Sequence, residues 1–244
     1  MRIHKLLVSH ENKEYPIYLG TSSLNYNALY KERKKFLSNS ELDIFGQLKF
    51  EKKKKSFLQS RYLAKNILAK YLGEEDFRKI SISHGIFSHP LVNYPTGKMP
   101  IISISHTKTH AACIVSSAKC PTGVDIEAIT TNSKENIISQ TTTHERNNLK
   151  YVENENTFYT RIWTIKEALS KVLKTGIMTP FNIYEINNIV YYKNYTISRF
   201  SNFNQYQAIS FAYKKNILSF ITPSSMIHTH LDENIFSISH SNNR

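Results

Sequence analysis

Two short acidic segments constrain this chain of 244 residues more than any other feature. The first, GVDIE, alternates apolar and acidic residues, which predicts a strand that carries Asp125 and Glu127 on one face. The second, WTIKEALSK, predicts a helix, because Trp163, Glu167 and Lys171 are four residues apart and share one stripe. If the strand and the helix meet, a third carboxylate joins the first two.

Three carboxylates followed by a lysine one helical turn later indicate a Mg²⁺ site that handles a phosphate ester. Mg²⁺ prefers oxygen ligands, and an ammonium group neutralises phosphate charge. An Asp-X-Glu strand on its own is more often a solvated strand edge. The interpretation therefore depends on finding both segments in one chain.

The chain is strongly basic, with a formal net charge of +13. Nucleic acid, a phosphorylated cofactor and an acidic protein surface would all suit such a charge. The abundance of lysine throughout the chain could also account for part of the excess without any partner. The length suffices for one large domain or two small ones.

The sequence predicts a cytoplasmic protein. It contains only two cysteines, and Cys113 lies in an apolar stretch where a buried thiol is expected. No apolar run approaches the roughly 20 residues that cross a bilayer, and the start has no signal-length apolar core.

The hydrophobic pattern predicts an α+β fold. A helical pattern runs over residues 50–72 and ends at Gly73, a residue suited to terminating a helix. Two hairpins are expected. The first joins residues 111–116 to 123–127, and the second joins residues 207–213 to 217–222.

The two acidic segments are similar to the signature of the 4′-phosphopantetheinyl transferase superfamily, in which a G-[IV]-D-[IV]-E strand precedes a W-x-x-K-E-[AS]-x-x-K helix. Every fixed position is met. Three further family motifs occur in the same order upstream, and they are KKKKSFLQSR at 52–61, GIFSHP at 85–90 and SISH at 103–106.

The resemblance implies the longer, pseudo-dimeric branch of the family, the type that activates surfactin and enterobactin synthetases. That branch has two similar half-domains, each a small, mainly antiparallel sheet with packed helices, related by pseudo-two-fold symmetry. We therefore expect half-domains at 1–127 and 128–223, a tail at 224–244, and a monomer.

The resemblance also assigns roles to individual residues. The metal ligands would be Asp125, Glu127 and Glu167, with Glu167 also acting as the base and Lys171 as the second catalytic residue. The coenzyme A contacts would be Arg61, His89, Ser105, His106 and Lys171. His89 stands where the family often has lysine, so Lys98 is the alternative contact at that point. Trp163 is assigned to packing.

The implied reaction moves the 4′-phosphopantetheine arm of coenzyme A to a serine of an apo-carrier protein. Mg²⁺ is the implied cofactor, coenzyme A the co-substrate, and an acidic acyl or peptidyl carrier protein the partner, with no membrane or nucleic acid involved. Fatty acid, polyketide, nonribosomal peptide and siderophore synthases all contain such carriers.

Two other functions fit parts of the sequence. A Mg²⁺-dependent nuclease would also combine basic charge with clustered carboxylates, but nucleases commonly place a lysine two residues after the strand glutamate, where this chain has Ile129. A basic nucleic-acid-binding module would use the fifteen tyrosines for stacking. It would leave Asp125, Glu127 and Glu167 without a role.

Overall fold

The computed structural model describes residues 1–23, 25–86, 88–97, 99–129, 134–148, 153–176, 179–225 and 227–228. The chain divides into two compact units, Met1–Leu6 with Tyr15–Thr122, and Leu7–Glu14 with Gly123–Arg244. Both units combine helices with antiparallel strands, which confirms the α+β class.

The first unit contains most of an N-terminal hairpin, three helices and four further strands. In chain order these elements are β1 (Arg2–His10), β2 (Lys13–Ser22), α1 (Tyr26–Phe36), α2 (Asn39–Gln47), α3 (Glu51–Leu72), β3 (Ser81–His84), β4 (Pro90–Asn93), β5 (Ile101–His106) and β6 (Ala111–Ser116). The tip of the β1–β2 hairpin belongs to the second unit, where Val8 pairs with His228.

Helix α3 is the central helix of the first unit. Its buried face includes Leu63, Ile67 and Leu68, which pack in one hydrophobic cluster with Cys113 of β6. The helix ends as predicted at Gly73, whose φ of 72° is left-handed and therefore favours glycine.

The predicted pairing of residues 111–116 with 123–127 is wrong. Strand β6 pairs antiparallel with β2 on one side and with β5 on the other, so both of its edges are already occupied. The chain instead continues through Pro121, which has no amide hydrogen to donate, into a strand of the second unit.

The second unit contains a five-stranded sheet and one long helix. In chain order its elements are β7 (Gly123–Ala128), α4 (Lys134–Ser139), α5 (Thr143–Asn148), α6 (Glu155–Leu173), β8 (Ile186–Tyr191), β9 (Thr196–Phe200), β10 (Tyr206–Tyr213), β11 (Asn216–Pro223) and β12 (Ile227–His228). The sheet order is β7-β11-β10-β9-β8, and the predicted hairpin of β10 and β11 is confirmed. Strand β7, expected in the first half of the chain, lies in this unit.

Helix α6 covers one face of this sheet. Its apolar residues Phe158, Ile162, Ile165 and Leu169 are buried in a cluster with Ile221 of β11. Asn154 caps its first turn, accepting a hydrogen bond from the amide of Thr157 at 3.0 Å. Within the described ranges, no helix is both long and apolar enough to cross a membrane.

Each unit contains a buried glutamate that joins three elements. In the first unit Glu41, in the first turn of α2, forms an ion pair with Lys65 of α3 and accepts the amide hydrogen of Ile82 in β3 at 3.2 Å. Burial lowers the pKa of Lys65, and the Glu41 carboxylate counteracts that effect. Removing Glu41 would leave Lys65 as an unpaired buried charge.

The second unit repeats this arrangement. Glu145, in the first turn of α5, lies 2.7 Å from Lys166 of α6 and accepts the amide hydrogen of Ile186 in β8 at 2.8 Å. Both glutamates also complete capping boxes, Glu41 with Ser38 and Glu145 with Thr142. The two ion pairs therefore fix short helices to a long helix and a strand.

We predict that Gly123→Ala destabilises the protein by about 1–3 kcal/mol. A Cβ at Gly123 would collide with the backbone oxygen of Ala168 in α6, and a backbone atom cannot turn aside. Thermal unfolding followed by circular dichroism measures the effect.

The matched control is Gly46→Ala. Gly46 is an exposed glycine of α2 with open space around it, so this change should stabilise the protein by up to about 1 kcal/mol. Equal stability of the two variants would contradict the close approach of β7 and α6.

Candidate active site

Strand β7 presents two carboxylates on one face, as its alternation predicts. Val124 and Ile126 are fully buried on the opposite face. Asp125 is also almost completely buried, at 5% exposure, whereas Glu127 is half-buried. Although β7 is the edge strand of its sheet, Asp125 is therefore shielded from solvent and Glu127 is partly shielded.

Helix α6 brings a lysine and a third carboxylate to this face. The ammonium of Lys171 donates to Oδ1 of Asp125 at 2.7 Å and to the backbone oxygen of Val124 at 3.0 Å. This contact requires the close approach of α6 to β7 that Gly123 permits. Lys171 therefore links the helix and the strand at their closest point.

The carboxylates are close enough to influence one another's charge. Burial raises the pKa of Glu167 to about 7, with a further contribution from the negative charge of Asp125, while Lys171 acts in the opposite direction. Burial and Asp125 also raise the pKa of Glu127. Three acids concentrated here repel one another, and one cation, Lys171, partly offsets the repulsion.

The three side chains are of the chemical type that binds a hard divalent cation. Carboxylate oxygens are the preferred ligands of Mg²⁺, and Oε1 of Glu167 is buried without a hydrogen-bond partner among the described residues. In the part of the chain that the structure describes, however, no three His, Cys, Asp or Glu side chains are grouped so that they could hold a metal ion. The cation that the structure places beside Asp125 is the ammonium of Lys171.

Arg61 lies inside the first unit. It is only 4% exposed, and its guanidinium is 3.4 Å from Glu41 and donates to the backbone oxygen of Ile82 at 3.2 Å. The nitrogen that donates to Ile82, Nη2, also lies 3.3 Å from Nε2 of His84. Burial lowers the pKa of Arg61, and Glu41 opposes that shift. The structure thus gives this arginine internal partners, whereas the sequence alone suggested an external anion.

Three other predicted coenzyme contacts, Ser105, His106 and His89, also lie in the first unit. Ser105 and His106 form the end of β5, where they pair with Ala112 and Ala111 of β6, and the side chain of His106 is exposed. The imidazole of His89 lies against Gly85, whose amide donates to the backbone oxygen of His89 at 2.8 Å. Lys98, the alternative contact, lies outside the described residues.

The structure therefore places Lys171 in contact with Asp125, and Glu127 and Glu167 within electrostatic range of that pair in the second unit. Trp163 packs edge-on against Phe181 with ring centroids 4.9 Å apart, in agreement with its assignment to packing.

Sequence reasoning missed the buried partner of Lys166. Lys166 precedes Glu167 in the helix motif, and its ion pair with Glu145 fixes the face of α6 that turns inward. The signal was present, because a Thr-x-x-Glu pattern at residues 142–145 is a capping box. The first unit carries the same signal as Ser38-x-x-Glu41.

Residues 121–219 match the sequence model of the 4′-phosphopantetheinyl transferase superfamily. The matched region contains Asp125, Glu127, Glu167 and Lys171, and it excludes the predicted coenzyme contacts of the first unit. No curated protein sequence matches the chain significantly.

Several solved structures of holo-acyl-carrier-protein synthases are similar to parts of the chain. The Bacillus anthracis enzyme, solved in complex with coenzyme A (3′,5′-ADP), is 22% identical over 41% of this chain and 96% of its own, with a TM-score of 0.35. The Neisseria meningitidis enzyme is 21% identical over 40% and 94%, with a TM-score of 0.33. The Plasmodium yoelii enzyme is 21% identical over 48% and 99%, with a TM-score of 0.32.

We predict that Glu167→Gln stabilises the metal-free protein above pH 7. The pKa of Glu167 is about 7 in the folded protein and about 4.5 when unperturbed. As pH rises between these values, the unfolded chain loses the proton first. Ionisation of Glu167 therefore lowers the free energy of unfolding, and this loss is complete above the folded pKa. The free energy of unfolding of the variant should exceed that of the wild type by roughly 1–3 kcal/mol at pH 8 and equal it at pH 4. Urea unfolding at both pH values, with chelator present, measures the difference, and a loss of stability at pH 8 would contradict the burial of an unneutralised carboxyl.

Proposed function

We propose that the protein transfers the 4′-phosphopantetheine arm of coenzyme A to a serine of an apo-carrier protein and releases adenosine 3′,5′-bisphosphate. The observation that carries the proposal is the coupled group of Asp125, Glu127, Glu167 and Lys171 on β7 and α6. The family match over residues 121–219 includes all four residues and supports the same reaction class.

Asp125, Glu127 and Glu167 would hold Mg²⁺ in this proposal. Bound there, Mg²⁺ would neutralise charge on the pyrophosphate of coenzyme A. The unpartnered oxygen of Glu167 and the raised pKa values of Glu127 and Glu167 support this role, because a bound cation would relieve both.

The protein's own groups position the reactants and move one proton. We assign Glu167 as the base that takes the serine proton, directly or through a water molecule, since a bound cation would keep its carboxylate in the ionised form that can accept a proton. Lys171 would stabilise the negative charge on the departing bisphosphate. Transfer of this kind depends on alignment and charge neutralisation and needs no covalent intermediate on the protein.

The first unit would supply the coenzyme contacts. Among the predicted contacts that the structure describes, His106 is exposed and its neighbour Ser105 is half-buried, and we propose that His89 or Lys98 reaches the nucleotide. Arg61 has a supporting role in this proposal, because its buried ion pair with Glu41 limits how far it can extend toward a phosphate.

We also propose that the two units are related copies, as in the longer, pseudo-dimeric branch, and that the protein is a monomer. The two buried glutamates support the relation between the units. Glu41 and Glu145 each accept the amide hydrogen of an isoleucine 41 residues further along the chain. In addition, Gly20 of β2 lies close under α3, as Gly123 of β7 lies under α6. Such a duplication would predict pseudo-two-fold symmetry.

An acidic carrier protein would dock on the helices of the first unit. Residues 25–72 contain twelve lysines and arginines against four acids, so this fifth of the chain holds a net charge of +8 out of +13. The exposed Tyr30 ring stacks under Arg33 at 3.9 Å, and Lys55 of α3 lies 5.6 Å from the Tyr26 ring of α1. These contacts place basic side chains of α1 and α3 side by side, which suits an acidic helix.

We predict that Asp125→Ala and Glu167→Ala each abolish transfer and leave the protein folded. Each change removes one of the proposed oxygen ligands. The assay incubates protein, coenzyme A and Mg²⁺ with a panel of apo-carrier proteins and detects the added arm by mass spectrometry. Full activity in either variant would refute the site, and degradation of DNA or RNA without arm transfer would favour the nuclease alternative.

We predict that changing Lys52, Lys53 and Lys54 together to glutamate raises the KM for the carrier at least tenfold and leaves the KM for coenzyme A unchanged. The reversed charge repels an acidic partner, and the effect should shrink as salt increases. The matched control reverses three exposed lysines elsewhere, Lys13, Lys119 and Lys193, at the same total charge. An equal effect of both triple variants would mean that the KM for the carrier depends on the total charge of the protein and not on the charge of this surface.

A further inference from the structure

A row of buried polar side chains crosses the sheet beneath α6. Asp125 of β7 pairs in register with Ser219 of β11, Ser219 with Ser210 of β10, and Ser210 with Thr196 of β9. All four residues are at most 5% exposed. Residues paired directly across strands project from the same face, so these side chains form a continuous line that begins at the candidate active site.

Helix α6 meets this row with three polar contacts on one of its faces. Arg161 donates to the Ser210 hydroxyl at 2.9 Å, and the Thr164 hydroxyl lies 2.7 Å from the Ser219 hydroxyl. Lys171 makes the third contact, to Asp125. The two serine hydroxyls are themselves joined at 2.8 Å.

The donor and acceptor roles are fixed for two of these contacts. A guanidinium only donates, so Ser210 accepts from Arg161. Ser219 donates to Ser210, and the single hydroxyl hydrogen of Thr164 is shared between Ser219 and the backbone oxygen of Arg161, which lies 3.0 Å away. The two guanidinium nitrogens Nε and Nη2 of Arg161 are held by both carboxylate oxygens of Glu153 at 2.7 and 2.6 Å.

Such a network restricts how a helix can sit on a sheet. Apolar side chains can repack after a small shift of the helix at modest cost, whereas a buried hydroxyl displaced from its partner loses a hydrogen bond in a low-dielectric environment. Glu167 lies between the contacts of Thr164 and Lys171, within about one helical turn of each. Its position relative to Asp125 is thereby fixed on both sides.

We propose that Arg161, Thr164, Ser210 and Ser219 are positioning residues that hold Glu167 in register with Asp125 for divalent-cation binding and transfer. The inference rests on the proposed function for the identity of the site. It assigns to these residues no contact with a substrate. A displacement of about 1 Å at a reacting group can cost about a hundredfold in rate, which gives the register of α6 a catalytic consequence.

The test uses Thr164→Val, which keeps the side-chain shape and removes the hydroxyl, and Thr164→Ser, which restores it. Two quantities are measured on the folded full chain: the dissociation constant for Mn²⁺, from the loss of the free-ion EPR signal, and the kcat of transfer. Thr164→Val should weaken Mn²⁺ binding about tenfold and lower kcat about 10–100-fold, with the KM for coenzyme A within about twofold. Thr164→Ser should recover most of both.

The matched control is Ser198→Ala. Ser198 is fully buried on the same face of the sheet, but its hydroxyl has no hydrogen-bond partner among the described residues, so its removal should change neither quantity. If Thr164→Val does not fold, Glu153→Gln replaces it. Glu153 is partly exposed, and this change weakens its ion pair with Arg161. It should lower the affinity for Mn²⁺ as well, by a smaller factor than Thr164→Val.

The outcomes separate this inference from the proposed function. Unchanged Mn²⁺ affinity and kcat in Thr164→Val, or in Glu153→Gln if the first variant does not fold, overturn the positioning role even when the wild type transfers the arm. Mn²⁺ binding that weakens as expected supports the role even if no carrier in the panel is modified. A wild type that binds no Mn²⁺ removes the metal site, and the positioning role is overturned with it.

Discussion

Repulsion between wholly or partly buried carboxylates is the constraint on which the second unit depends. Asp125, Glu127 and Glu167 come from a strand and a helix that pack closely because Gly123 has no side chain, and burial strengthens every charge interaction between them. The fold holds them against this repulsion with Lys171 and with the hydrophobic contacts of α6. A site built in this way is poised for a cation, because binding one would relieve an unfavourable interaction already present.

Adjacent residues of α6 divide the tasks of stability and chemistry. Lys166 turns toward Glu145 and is almost completely buried in an ion pair, while Glu167, one residue later and about 100° around the helix, belongs to the acidic group. The ion pair thus fixes the rotation of the helix, and the polar row beneath Thr164 fixes its position along the sheet. A change at either place would alter the acidic group without touching it.

Local patterns predicted the elements of the site but could not predict their partners. The alternation around Asp125 and the four-residue spacing of Glu167 and Lys171 depend on neighbours in sequence, so the strand and the helix could be inferred. That the two meet was expected only from the family resemblance. The pairing of β7 with β11 could not, because strand partners are chosen by contacts about ninety residues apart. Arg61 was predicted to bind an anion, and the anion that the structure provides is Glu41, on another helix. Its apolar surroundings were visible in the sequence, but the identity of its partner was not.

Proton release on Mg²⁺ binding tests the central claim most directly. If Glu167 has a pKa near 7 and ligates the ion, Mg²⁺ must displace its proton, and calorimetric titrations at pH 7 in buffers of different ionisation enthalpy will count the protons. We predict release of about half a proton per bound Mg²⁺ at pH 7, rising toward one at pH 6 and falling toward zero at pH 8.5, with the release absent in Glu167→Gln. Binding with no proton release at any of these pH values, or no binding, would contradict it.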